Sequence, residues 1–460
     1  MRQPALSPLD GRYRDKVTGL AVLLSEEGLN RGRIRVEVAY LRAFLEILDV
    51  PAVRTVDEAS WSTLVACNDA DLADLAARER VLRHDVKAVE HLLRDRVAAH
   101  PVLGPWAGHV HLGLTSEDVN NLAWGLAVVE AWRVVLRPAL VTLVAALADL
   151  AEAAADQPML ARTHGQPATP TTLGKELAVF VVRLADGLAE ADRCIPGGKL
   201  TGATGTHGAL SVAFPHIDWS AFGSRFVAGL GLEPVRLTTQ VEPRDRLAAH
   251  LDALRRLAVV VLDMDQDFWR YVSDGWLQQR KVAEEVGSSA MPHKINPIDF
   301  ENSEGNMGLA VALLGHMAVK LPQSRLQRDL SDSTVLRNLG VALGHWLLGV
   351  TSASAGLARV APDTVAMDAA LQDHPEVLAE AWQVALRAHG VTHAYERLKD
   401  LTRGRTADAD ALRTLLDDPA IPEELRVRLG AMRPADFVGQ APALARAAVA
   451  DVRARLSLPA

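Results

Sequence analysis

Apolar positions recur at helical spacing through the middle of the chain. Leu247, Leu251, Leu254, Ala258 and Val261 follow one another at intervals of three and four, with Arg246, Asp252, Arg255 and Arg256 between them. This predicts a helix over 243–271. The same reasoning predicts helices over 122–155 (bent near Pro138), 172–193, 300–321 and 333–357. Alternating patterns are rare, and the one place left for a short hairpin is 200–212. The fold class expected is therefore all-α, with three helical domains at 1–113, 114–361 and 362–460, the central one an elongated five-helix bundle. Pro101–Gly113 and Pro362–Asp363 mark the junctions. The last stretch reads as shorter helices broken at Gly404 and at Pro419–Pro422. Runs such as Val179–Val182 and Val259–Val261 put apolar groups on more than one helix face. A helix apolar nearly all round is buried on both sides, so packing against other subunits is expected.

Composition leaves this picture intact and narrows it. The chain has 460 residues, 49% hydrophobic and 23% charged, with a net charge of −8. That balance excludes a broad basic nucleic-acid surface but permits a local cationic pocket. Cys67 and Cys194 are the only cysteines, neither in a metal-ligand spacing, so neither a disulfide framework nor a metal site is expected. The first twenty residues carry six charges and no apolar core, and the longest apolar runs, 138–148 and 257–262, are short and end at aspartate. The expectation is a cytoplasmic protein with no membrane partner.

Candidate chemistry is concentrated in four segments. Gly287–Asn306 packs hydroxyls, an imidazole, an ammonium, amides and carboxylates into twenty residues, with Pro292 and Pro297 opposing helix in its first half. Within it a serine needs a neighbour to lower its proton affinity, and Lys294 is near in sequence to Ser288 and Ser289. Arg162–Pro170 holds His164 in a stretch that Pro167 and Pro170 mark as an irregular turn before a helix; histidine is the usual general acid or base near neutral pH. Thr115-Ser116-Glu117-Asp118 reads as a helix cap, which is also a ready anion site. Ser7–Tyr13 offers a turn followed by a guanidinium and a phenol. The glycine stretch 197–205 lacks the Gly-Lys-Ser/Thr ending of a phosphate loop, and no strand–helix alternation surrounds it.

Together these segments resemble the fumarase/aspartase superfamily of β-elimination lyases. Gly287-Ser-Ser-Ala-Met-Pro-His-Lys-Ile-Asn-Pro297 looks like its signature loop. His293, the extension to Asn306, and the segments 7–13, 84–90, 115–121, 162–176, 327–338 and 401–404 are similar to the adenylosuccinate lyase branch, so the likeness runs nearly end to end. The resemblance implies a homotetramer with sites built from several subunits, nucleotide substrates and no cofactor. It implies Ser288 as the base and His164 as the acid. Lys294 and Asn296 would grip carboxylates, with Thr115 and Ser116 nearby. Arg12, Tyr13, Arg328, Ser333, Thr334 and Arg337 would hold the phosphate and ribose, and Arg83, His84, Asp85, Gln240 and Asn302 would complete the pocket. Arg83 departs from the asparagine usual there, and Thr204 and Leu210 replace valine and histidine. A cycloisomerase of the same fold is disfavoured by 300–306 and by the arginines of 325–337. A non-catalytic structural relative is disfavoured by the retention of Ser288, His164, Lys294 and Asn296.

Overall fold

The computed structural model describes residues 5–280, 291, 293–402 and 412–459. Ser288, Ser289, Pro292 and Gly404 lie outside the described residues. The fold is all-α, with the long helices where the periodicity puts them. Those used below are α1 (Glu26–Ile47), α2 (Asp69–Leu82), α3 (Asp85–Ala99), α4 (Ser116–Ala131), α5 (Arg137–Ala153), α6 (Leu173–Arg193), α7 (Asp245–Ser273), α8 (Ile298–Lys320), α9 (Ser331–Leu336) and α10 (Leu339–Leu357).

Two expected helices are interrupted, each for a local reason. Between α4 and α5 the chain makes a π-turn over Trp132–Leu136. Pro138 has no N–H and its ring crowds the carbonyl one turn back, and a wider turn just before it relieves both. The helix expected over 333–357 is split at Arg337–Asn338, where the Asn338 amide donates to the Thr334 carbonyl (3.0 Å). An asparagine that bonds the backbone in this way competes with helix continuation.

The chain divides into two compact units. The first comprises Met1–Leu140, Gly187–Val259 and Gly305–Gly349. In it Tyr40 and Phe44 of α1 pack with Trp219 and Phe222, and the Phe44 and Trp219 rings stack at 5.7 Å. A second cluster joins Ile34, Leu41 and Leu45 to Val89 and Leu93 of α3. No hairpin forms at 200–212. Gly197–Gly198 instead pairs in parallel with Glu233–Pro234, and Gly208–Ala213 is helical.

The second unit comprises Val141–Asp186, Val260–Glu304 and Val350–Ala460. Its described C-terminal part is built around Leu378, Trp382, Leu386, Leu425 and Leu429. It contains a β-hairpin where the prolines suggest an irregular turn: β1 (Pro158–Thr163) runs antiparallel to β2 (Gln166–Thr172). His164 and Gly165 form its two-residue tip with φ of 56° and 74°. Positive φ at both central residues is the requirement of a tight hairpin turn whose twist matches its strands. Pro167 and Pro170 argued against a strand because each lacks a ladder donor. A two-stranded ribbon has an open edge that tolerates them.

The helix Ser116–Ala153 corrects one expectation. It is 38 residues long, and its best 18-residue window has a mean hydropathy of 1.9, enough by length and composition to cross a membrane. The two charges at its start, Glu117 and Asp118, are buried and paired within the first unit, which marks it as a core helix.

Candidate active site

The first unit gathers most of the residues expected to hold a nucleotide. Asp85 opens α3, and its carboxylate takes Arg33 Nη2 at 2.5 Å, the Val86 N–H at 2.8 Å and Arg337 Nη2 at 3.4 Å. Burial pushes the Asp85 carboxyl up, but Arg33, the Val86 N–H and Arg337 outweigh it, so the group is held below the usual carboxylate range. His84, the residue before α3, accepts the Lys87 N–H on Nδ1 at 3.2 Å. The remaining proton of a neutral ring is then on Nε2, which faces the Ser116 hydroxyl at 3.5 Å. Arg337 also reaches Glu26 at 2.7 Å and donates to the Ser333 hydroxyl. His84, Asp85, Ser116, Ser333 and Arg337 are thus linked through direct contacts. Thr334 is exposed on the same short helix, α9.

Thr115 and Ser116 are aimed by a buried ion pair. Asp118 accepts the Thr115 N–H at 2.9 Å and the Thr201 N–H at 3.0 Å, and pairs with Lys199 Nζ at 2.9 Å. Lys199 and Asp118 are both 0% exposed. The lysine of the glycine stretch therefore serves the turn that presents Thr115 and is not offered to a phosphate. Gly205 is needed here: at φ 78° an added Cβ would lie 2.0 Å from the Thr238 carbonyl oxygen. Leu210, where the family usually has histidine, packs against Gly113, two residues before Thr115. Gln240 donates its amide to the Ala203 carbonyl at 2.9 Å and its N–H to that of Gln327 at 3.3 Å, which ties the glycine stretch to the segment of Arg328. Arg328 is bound to Glu117 at 2.7 Å.

Arg12 and Tyr13 lie at the N-terminal turn, the guanidinium 6.0 Å from the phenol ring centre. Tyr13 rests on the small cluster of Leu9, Val17 and Leu348. A cavity of about 680 Å³ is lined by Ser7, Asp10, Arg14, Arg31 and Arg337. Arg83 closes α2 in the left-handed region (φ 51°).

Some contributors to this unit were not foreseen. Arg33 holds Asp85, Asn30 and Asn120. Arg244 and Glu242 are buried beside Glu117. The signal for Arg33 was present: it sits with Leu29, Val36, Tyr40 and Phe44 on the apolar stripe of α1, and a charge on a core stripe has a partner to find. Burial, opposed by Arg244, raises the Glu242 carboxyl to about 7. No sequence pattern announced it.

The second unit contains His164 and the described residues of the signature segment. His164 is exposed at the hairpin tip. Lys294 is exposed, its N–H bonded to the Met291 carbonyl at 3.1 Å. Asn296 is half-buried. The preceding carbonyl, of Ile295, is held by the Gln279 amide at 2.9 Å, and residues 277–279 pair with 360–362. Asn302, on α8, accepts the Ser352 hydroxyl at 2.9 Å. Ser288, the expected base, lies outside the described residues.

A lyase family model matches residues 11–312, and an adenylosuccinate lyase C-terminal model matches 324–438. Among solved structures, a 3-carboxy-cis,cis-muconate lactonizing enzyme from Pseudomonas putida (24% identity, TM-score 0.75, 95% of this chain and 97% of that one) shares the fold. So does a fumarate lyase from Mesorhizobium (19% identity, TM-score 0.75, 94% and 97%). These matches define the class as a lyase of the fumarase/aspartase superfamily. Adenylosuccinate lyases of Escherichia coli K12 and Haemophilus influenzae are each 43% identical over 441 residues, covering 95% of this chain and 97% of theirs, and that of Dictyostelium discoideum is 39% identical over 451. Within the superfamily, the chain belongs to the adenylosuccinate lyase family.

Proposed function

We propose that this lyase cleaves adenylosuccinate to AMP and fumarate, and the succinylated aminoimidazole carboxamide ribotide to its carboxamide and fumarate, in purine biosynthesis. The observation that carries the reading is the linkage of His84, Asp85, Ser116, Ser333 and Arg337 in the first unit, beside a helix N-terminus and Arg328, in a chain of this family. Guanidinium groups and hydroxyls at a helix start suit a nucleotide phosphate and ribose.

In the reaction Ser288 removes the Cβ proton and the electron pair left on that carbon is delocalised into the adjacent carboxylate. As the C–N bond breaks, that pair forms the C=C bond, and the departing nitrogen keeps the C–N pair and takes a proton from His164. Charge builds on the carboxylate beside the deprotonated carbon, where Lys294 and Asn296 stabilise it, with the hydroxyls of Thr115 and Ser116 close by. Arg12, Tyr13, Arg328, Ser333, Thr334 and Arg337 hold the phosphate and ribose; Arg83, His84, Asp85, Gln240 and Asn302 complete the pocket.

The active form is a cytoplasmic homotetramer whose sites combine segments of several subunits, and each chain has the domains 1–113, 114–361 and 362–460. Apolar side chains exposed on the long helices, Val134, Val179, Val259, Leu309 and Val319 among them, support the assembly. The ultraviolet change on adenylosuccinate cleavage tests the activity, and absence of turnover by the purified tetramer would sink the reading. Ser288→Ala is expected to abolish turnover and leave adenylosuccinate binding measurable by calorimetry; substantial residual turnover would remove Ser288 as the base.

A further inference from the structure

Arg244 makes no part of the expected site, yet it is a buried cation beside it. It is 2% exposed and immediately precedes α7, with its own backbone in the left-handed region (φ 64°). Its N–H donates to a Glu242 carboxylate oxygen at 2.9 Å, which holds it in that conformation. Its guanidinium Nη2 donates to Glu117 Oε1, and to Asp332 Oδ2 at 2.9 Å. The second oxygen of Glu117 accepts from Arg328 Nη1 at 2.7 Å. Glu117 and Asp332 are 2% and 5% exposed, whereas the Arg328 side chain is 21% exposed. Asp332 Oδ1 has no hydrogen-bond partner among the described residues, so Arg244 carries the compensation of that buried anion.

Buried ion clusters contribute little net stability, because desolvation cancels most of the attraction, and a well-packed apolar replacement is often as stable. Their distinctive product is geometry. Here one glutamate is shared between a fully buried arginine and one that emerges into solvent, so the first dictates where the second points. Asp332 adds a second tie, one residue before Ser333 and on the same short helix as Thr334.

We propose that Arg244 is a positioning residue for the phosphate end of the substrate: acting through Glu117 it aims Arg328, and through Asp332 it seats the helix carrying Ser333 and Thr334. The inference rests on the reading of 328–337 as the phosphate-binding segment. A residue acting this way changes binding of the phosphorylated substrate and leaves the elimination step alone.

The test compares adenylosuccinate with its dephosphorylated nucleoside in Arg244→Lys, whose ammonium satisfies one carboxylate at most, and in Arg244→Gln. Arg244→Lys is expected to raise KM for the nucleotide about tenfold with kcat within about twofold, and to leave kcat/KM for the nucleoside nearly unchanged. The Arg244→Lys/Arg328→Gln double variant is expected to be little worse than Arg328→Gln alone, because both act on one contact. Glu117→Gln, which keeps the shape and one acceptor, is expected to reproduce the KM effect should the Arg244→Gln protein not fold. Equal losses on nucleotide and nucleoside, or multiplicative losses in the double variant, overturn the proposal. If Arg328→Gln alone affects both substrates equally, the phosphate reading fails, and non-additivity between positions 244 and 328 still reports on the coupling by itself.

Discussion

Arg83 shows how one backbone conformation constrains a side chain. It closes α2 at φ 51°, with its N–H bonded to the Glu79 carbonyl at 2.7 Å. A left-handed residue costs roughly 1–2 kcal/mol for most side chains and less for asparagine, which the family usually places there. Arg83→Asn is therefore expected to stabilise the protein by about 0.5–1 kcal/mol, read as a higher urea midpoint at constant protein concentration. At this scale the sequence was legible where chemistry is local. Thr115–Asp118 was legible as a cap because a helix start and a charge stood together, whereas His84 and Asp85 came only from the likeness of 84–90 to the family. Lys199 and Arg244 were opaque, because a buried cation looks like any other until its distant partner is known. Lys199 meets Asp118 from 81 positions away, and Arg244 meets Glu117 from 127.

The hairpin of β1 and β2 is the element on which His164, the proposed acid, depends. Its tip places His164 in solvent by pairing Thr163 with Gln166 across two left-handed residues. Gly165 has φ 74°, and nothing lies within 4 Å of where its Cβ would be. Gly165→Ala therefore carries a conformational cost of about 1 kcal/mol and no steric clash. The expected result is a kcat lowered about tenfold with KM and melting temperature little changed, since a small misplacement of an acid is felt in the chemical step. An unchanged kcat would mean that the tip adapts. The helices were readable because an apolar period of three to four persists over many residues. The hairpin was not, because its strands hold three prolines and its turn uses His-Gly in place of the usual Asn-Gly.

For the whole molecule, His164, the proposed acid, and the cluster of Asp85, Ser333 and Arg337, the proposed nucleotide side, belong to different compact units of the chain. If sites are shared between subunits, two inactive variants can rescue each other. Mixing His164→Ala with Ser288→Ala chains under conditions that allow exchange is expected to regenerate activity, because some sites then receive both wild-type residues. Mixed tetramers with no activity would require each chain to supply both groups to its own site. The long core helix adds a consequence for the life of the protein before assembly. In its most apolar 18-residue window only 39% of the residues are buried within one chain. If the chain assembles as proposed, a newly made subunit that has folded alone leaves apolar side chains such as Val134 in solvent, so its hazard lies in being alone. Dilution or slow synthesis is expected to yield aggregates and chaperone-bound chains in preference to a soluble single subunit.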